Sequence, residues 1–336
     1  MNKMGKLSTE DLKKLVSFIK KDQRIIIPPT PGYDSGVHLM GDQYMVVSTD
    51  PCLGVPQEWF GWLMIHYPAS DTALFGAKPE FCSINLLGPQ STDSQIFIDI
   101  MKQACEAADE LDIAIVTGHT GTYDGILTLI GVCTVYGRVD KNQLITPGGA
   151  KPGDQIICTK LIGLEIAINF ALTRRVLAEK MFGTQKTLEL LKQIKMQSCV
   201  NEALILSKID GVHAMHDITE GGLISALNEM AEASNIGFKI NFDKIPIIDE
   251  IRKFQDVFEL SHEDVLAMSS TGAILMSISP ESGNIVKKAL HNTCVNTSFV
   301  GSFTKSKECI LIIDGEEIPF PKKANDPYTT ILSRKI

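Results

Sequence analysis

The chain has 336 residues, enough for two domains of ordinary size, each with its own core. With 44% hydrophobic and 21% charged residues it reads as globular rather than disordered or fibrous, and a net charge of −8 speaks against non-specific nucleic-acid binding, which needs clustered Lys and Arg. Residues 1–22 are polar and charged, without the apolar segment of a signal peptide, and the longest apolar runs, such as 126–135, are too short and interrupted to span a bilayer.

In chain order, the pattern predicts an opening helix over 8–21, with Ser8 and Asp11 as a capping box and Leu12, Leu15, Phe18 and Ile19 as its apolar face. A Pro/Gly-rich loop covers 28–36. A strand over 44–49 ends at Asp50, a short helix follows over 58–66, and a strand over 81–87. Residues 94–111 form a clear amphipathic helix that leads into a strand over 113–117, ending at Gly118-His119-Thr120. A β-type run over 126–139 completes this half. Two prolines and three glycines within 147–154 mark a boundary between domains at 1–148 and 149–336. The second half begins with a strand over 155–159 and is rich in helix, at 164–181, 188–197 and 202–209. A strand over 212–215 precedes His216-Asp217-Ile218-Thr219-Glu220-Gly221-Gly222, and a helix continues over 223–233. Further strands are expected at 238–242, 273–278, 297–300 and 310–313. Strands and helices mixed through both halves predict α/β or α+β domains.

Eight cysteines are scattered, at Cys52, Cys82, Cys105, Cys133, Cys158, Cys199, Cys294 and Cys309, and none forms a CxxC pair. That excludes a zinc ribbon or thioredoxin-type motif and fits a reduced, cytoplasmic protein. Those inside apolar runs, such as Cys133, read as small buried hydrophobes. Walker A, GxSxG, HExxH and a convincing GxGxxG are absent.

The chemistry-bearing positions are Asp34, Asp50, Asp71 and His119, each where an apolar run gives way to small residues. Three carboxylates in one cleft repel each other unless a cation joins them, and burying one unpaired carboxylate costs several kcal/mol. Mg2+, itself bridging phosphates, relieves that cost, so the pattern suggests a nucleotide-phosphate site without a P-loop. Taken singly, each aspartate also reads as a turn former or helix cap, and His119 as a hydrogen-bonded loop histidine. Gly221-Gly222 at a helix N-terminus leaves backbone N–H groups open to an anion, with Asp217 and Glu220 as alternative caps of that helix.

Five segments stand in a telling order: Ser48-Thr49-Asp50; Ala69-Ser70-Asp71 with Gly76-Ala77-Lys78-Pro79; Gly118-His119-Thr120; Gly149-Ala150-Lys151-Pro152-Gly153-Asp154; and 216–223. In this succession, from about 32 to 313, the chain resembles the superfamily of aminoimidazole ribonucleotide synthetase. Other members are the hydrogenase-maturation dehydratase, selenophosphate synthetase and thiamine monophosphate kinase. The resemblance implies two α/β domains. The N-terminal sheets of two subunits would pair into a barrel with flanking helices, making a homodimer, and the C-terminal domain would be an α/β sandwich. ATP and Mg2+ would bind in the cleft, with 1–148 supplying the ATP, metal and dimer functions and 149–336 completing the site. Asp34, Asp50 and Asp71 match metal and phosphate positions. Asp50, Asp71 and His119 are the implied catalytic residues, and Asp34, Thr120, Asp217, Gly221 and Gly222 the implied cofactor-binding ones. Ser269-Ser270-Thr271-Gly272 resembles a further loop of the family. Many relatives carry Gly-Asp-Thr where this chain has Gly-His-Thr. A neutral imidazole is a poor Mg2+ ligand, so His119 would hydrogen-bond a phosphate or transfer a proton.

Each named activity lacks a part here. The maturation dehydratase, closest in layout, needs a cysteine at its extreme C-terminus, but this chain ends Ile331-Leu332-Ser333-Arg334-Lys335-Ile336. The loop 28–36 holds neither the Cys nor the Lys of selenophosphate synthetase. The thiamine phosphate kinase pattern is met only in part by Tyr33-Asp34-Ser35 and 219–223, and Pro51-Cys52-Leu53-Gly54 replaces the purine enzyme's segment after Asp50. The expectation is therefore an ATP- and Mg2+-dependent enzyme that phosphorylates or activates a small substrate. The alternative is a non-catalytic, nucleotide-binding dimeric scaffold.

Overall fold

A computed structural model describes residues 7–291, 293 and 295–333. The expectations that touch residues 1–6, Cys294 and residues 334–336 lie outside the described residues. The chain divides into two compact units, Val16–Leu144 and Ile145–Ile336, the latter joined by Met1–Leu15.

The opening helix α1 spans Thr9–Val16, shorter than predicted. Its cap is as expected: Ser8 Oγ donates to Asp11 Oδ2 at 2.7 Å and accepts from the Asp11 N–H at 3.1 Å. Its supposed core face is wrong, because Leu15, Phe18 and Ile19 are 55%, 87% and 51% exposed.

In the first unit a six-stranded sheet runs β1 (Ile25–Ile27), β2 (Ser35–Met40), β3 (Gln43–Cys52), β6 (Ile130–Val139), β4 (Phe81–Pro89), β5 (Ala114–Tyr123). Pairing is antiparallel except for β4 with β5. Two helices cover one face, α2 (Phe60–Leu74) and α3 (Ser94–Leu111). In α3, the Asp93 side chain accepts the Gln95 N–H at 2.8 Å, and Phe97, Ile100 and Ala104 turn inward. α2 is far longer than the predicted 58–66. Almost every residue of it is buried, including Leu63, Met64 and Ile65, so it is apolar all round and shows no helical stripe. Pro68 sits inside it, and Asp71 belongs to its last turns rather than to a loop. β3 and β5 likewise run past their predicted ends, through Asp50 and through His119-Thr120, because neighbouring strands pair with those residues.

The second unit has a seven-stranded sheet. Its order is β13 (Glu316–Pro319), β12 (Cys309–Ile313), β9 (Gly237–Asn241), β11 (Thr297–Thr304), β7 (Gln155–Thr159), β10 (Ile274–Ile278), β8 (Val212–Asp217). All neighbours are antiparallel except β9 with β12. Its helices are α4 (Leu164–Thr173), α5 (Arg175–Phe182), α6 (Thr184–Lys192), α7 (Val200–Leu206), α8 (Gly222–Ser234), α9 (Glu250–Phe258), α10 (His262–Leu266), α11 (Gly283–His291) and α12 (Tyr328–Ser333). The predicted single helix over 164–181 breaks at Arg174, whose guanidinium donates to the Leu332 carbonyl. Core side chains such as Ile156, Leu227, Met230, Phe238, Leu275 and Phe303 pack α8 against the sheet. The Pro/Gly-rich segment that opens this unit is pinned, not loose. Buried Asp154 accepts the Lys151 N–H at 2.9 Å, His213 Nδ1 at 2.8 Å and Ser277 Oγ at 2.6 Å on one carboxylate oxygen. The fold is thus mixed α/β with two separate sheets. No helix among the described residues is long and apolar enough to cross a membrane.

Candidate functional site

In the first unit Ser48 links the backbone of Asp34 to the Asp71 carboxylate near the start of β2. Asp34 ends the Pro/Gly-rich loop, where the Tyr33 ring packs edge-on against Phe75 beyond α2, with centroids 6.3 Å apart. Ser35 then pairs with Ser48 across β2 and β3. Ser48 Oγ is the junction: it lies 3.1 Å from the Asp34 carbonyl and donates at 2.8 Å to Asp71 Oδ2. Asp71, only 5% exposed, is therefore a buried carboxylate carried on α2 toward the β2–β3 ladder. Asp50 lies two residues beyond Ser48, on the same face of β3, since Cys52 on that face donates to the Phe60 carbonyl of α2. The Cys133 thiol opposite Asp50 is pushed far above the ordinary thiol range by its hydrogen bond with Cys82, by burial, and further by the Asp50 charge. It stays a neutral thiol and is no nucleophile.

The donor set around Asp34, Ser35, Ser48, Asp50 and Asp71 is oxygen throughout, which suits Mg2+. Ser35 adds a second sign of fit. Its Oγ is buried and, among the described residues, has no hydrogen-bond partner.

His119 and Thr120 stand apart from this set. Asp50, Cys133, Ile84 and Gly118 lie abreast across the sheet, while His119 falls in the next row with Asn85 and Val132, on the opposite face. Three inter-strand steps separate β3 from β5, about 14 Å. His119 is exposed on the edge strand and bonds the Tyr123 hydroxyl. Thr120 shares the helix-covered face with Cys52 but lies at the same remove. Within the first unit, then, the Asp34 backbone, Ser48 and the Asp71 carboxylate meet, Asp50 follows two residues along β3, and His119 lies on the opposite face.

In the second unit β8 delivers His216 and Asp217 to the glycine loop. His216 is buried between Asp217, whose carbonyl lies 2.8 Å from Nδ1, and Glu229 of α8, 3.0 Å from Nε2. Gly221 and Gly222 both have positive φ, at 84° and 59°. The N-cap of α8 is Gly221, which has no side chain to serve as a cap. The two glycines differ in purpose. The Gly222 N–H is used internally, on the Thr219 carbonyl at 2.8 Å. A Cβ there would stand 2.5 Å from the Leu266 carbonyl oxygen and 2.6 Å from that of Met268. Gly222→Ala is accordingly expected to cost about 2–4 kcal/mol of stability, read from the midpoint of chemical denaturation. An unchanged midpoint would remove the packing argument. The Gly221 N–H instead points to a carboxylate, Asp326 Oδ2 at 3.5 Å, which also takes the Ser269 N–H at 3.2 Å.

Ser269-Ser270-Thr271-Gly272 is woven into the same region. Ser270 Oγ accepts the Gly163 N–H at 2.8 Å, and Glu165 Oε2 accepts Ser269 Oγ at 2.7 Å and the Thr271 N–H at 2.9 Å. Sequence reasoning missed Glu165 and Asp326. For Glu165 a signal existed: a lone carboxylate in the apolar run of α4, which is buried only when well partnered. Asp326, in a polar segment near the end, offered none.

The chain matches the family model described as AIR synthase related protein, N-terminal domain, over residues 32–139, and that of the C-terminal domain over 151–314. A Methanocaldococcus jannaschii protein named for hydrogenase expression and formation is 30% identical over 285 residues, covering 83% of this chain and 82% of its own length. The selenide, water dikinase of Carboxydothermus hydrogenoformans is 25% identical, covering 92% and 95%. Among solved structures, the hydrogenase maturation protein HypE in complex with ATP has a TM-score of 0.69 at 19% identity, covering 86% of this chain and 88% of that one, and so shares the fold.

Proposed function

Because this chain belongs to the AIR synthase related protein family, we propose that it is an ATP- and Mg2+-dependent enzyme that phosphorylates or ATP-activates a small substrate. The observation that carries this reading is the meeting of the Asp34 carbonyl, the Ser48 hydroxyl and the buried Asp71 carboxylate, with Ser35 paired to Ser48 and Asp50 two residues further along β3. The relatives support it: one is named a dikinase, and the HypE structure of the same fold holds ATP. In this reading Asp34, Asp50 and Asp71 hold Mg2+, which when bound neutralises phosphate charge as the phosphoryl group moves. Ser48 keeps the Asp71 carboxylate aimed. The Gly221 N–H, at the positive end of α8, receives an anionic group of nucleotide or substrate. Asp217 holds His216, and Gly222 shapes the loop. His119 and Thr120, on opposite faces of β5 and about 14 Å from the carboxylates, are given no part in holding the metal. Residues 1–148 would carry the metal positions and residues 149–336 the glycine loop.

The dimer belongs to the same proposal. One face of the six-stranded sheet carries no helix of its unit, and on it the Phe81 and Tyr136 rings stack with centroids 5.6 Å apart. A second copy covering that face would bury this apolar surface. A second reading, a nucleotide-binding dimeric scaffold, draws on His119 standing outside the carboxylate set. Titration calorimetry with ATP, with and without Mg2+, tests what both readings share. A Mg2+-dependent binding heat is expected, and none under either condition would defeat them.

A further inference from the structure

The C-terminal segment folds back over the glycine loop of its own unit. It is held there at few points. The Pro321 carbonyl accepts Asn228 Nδ2 at 2.9 Å, the Tyr328 hydroxyl accepts Asn169 Nδ2 at 2.8 Å, and Arg174 takes the Leu332 carbonyl. Between these anchors the Asp326 side chain bonds the loops 219–222 and 268–271, through the N–H groups of Gly221 and Ser269. Its other oxygen takes the Tyr328 N–H at 2.9 Å, which turns the chain into α12. Those two loop N–H groups are the donors a small anion would use at the positive end of α8.

We propose that Asp326 is a latch: its carboxyl group occupies the Gly221 and Ser269 N–H groups, the place an anionic ligand would take. A phosphate or carboxylate group must then displace the C-terminal segment to bind there. The competition half of the proposal rests on the reading of the glycine loop as an anion site; the latch itself does not.

The latch is built to be weak. Burial pushes the Asp326 carboxyl up to about 7, and the neighbouring Glu165 charge adds to the rise, while the Tyr328, Gly221 and Ser269 N–H groups oppose it. Glu165 of α4 is a charged group acting on it, and the N–H groups of Gly221, Ser269 and Tyr328 meet it from the two loops and its own segment. A carboxyl raised in the docked state takes up a proton on docking. Attachment is therefore tightest below its ordinary value of 3.8 and weakens as pH rises toward 7, by up to about tenfold per pH unit.

The test is hydrogen exchange of the full chain, corrected for intrinsic rates, from pH 5 to 8, for wild type, Asp326→Ala and Asp326→Asn. Titration with inorganic phosphate accompanies it. In the alanine variant, amides of 219–222, 268–271 and 328–333 are expected to exchange at least about tenfold faster, and phosphate to bind at least about tenfold more tightly. The asparagine variant, close in shape and uncharged, is expected to lose the pH slope that wild type shows. Wild-type protection in the alanine variant, or a retained slope in the asparagine variant, overturns the latch. Faster exchange with no phosphate binding to any protein upholds the latch and overturns the anion reading of the glycine loop.

Discussion

Asp71→Asn and Asp50→Asn are each expected to lower Mg2+-dependent ATP turnover by about 10² or more, the scale on which removing one preorganised charge-stabilising group acts. Asparagine keeps the shape of aspartate but removes a negative charge and half of its oxygen donors. At position 71 its carbonyl oxygen still accepts Ser48 Oγ, so stability is expected to move by no more than about 1 kcal/mol. The effect would then be on the metal and phosphates rather than on the fold. Turnover against Mg2+ concentration is the measurement. Partial recovery at high Mg2+ would mark weakened metal binding, and unchanged turnover in both variants would remove the carboxylate set from the chemistry. Asp50→Asn also separates enzyme from scaffold: a catalyst loses turnover, whereas a scaffold shows none to lose and keeps its dimer and nucleotide binding.

The largest effect on stability is expected at Asp154. Replacing it by alanine strips one acceptor from three donors, the Lys151 N–H, His213 and the fully buried Ser277 hydroxyl. Leaving buried donors unmatched costs far more than the net worth of the bonds, and a loss of about 3–5 kcal/mol follows. Both tryptophans of the chain, Trp59 and Trp62, lie in the first unit. Far-UV circular dichroism should therefore show an early transition for the second unit, while tryptophan fluorescence follows the first. A circular-dichroism curve superimposable on wild type would show that the Asp154 knot is dispensable.

Elements with their own local signal were legible in the sequence. α3 came out at its predicted ends because Asp93 caps it and its apolar residues recur at helical spacing. β7 did so because a short β-branched run follows a Pro/Gly break. α2 was undersized because a helix buried all round has no stripe, and Pro68 reads as a stop. The ends of β3 and β5 were misplaced because pairing partners distant in sequence, Cys133 for Asp50 and Asn85 for His119, decide how far a strand continues.

By itself the sequence determined the class of protein: two α/β portions, an acidic composition of globular type, and an ordered series of short motifs sufficient for the family. Those are properties of local pattern and order along the chain. Only the tertiary structure decided which motifs meet. It joins the backbone of Asp34 to the Asp71 carboxylate through Ser48, sets His119 three strands away on the other face, and places Asp326 on the glycine loop. The reason is physical: strand register and helix packing bring together residues far apart in sequence, and a period-two ladder sends neighbouring residues such as His119 and Thr120 to opposite faces.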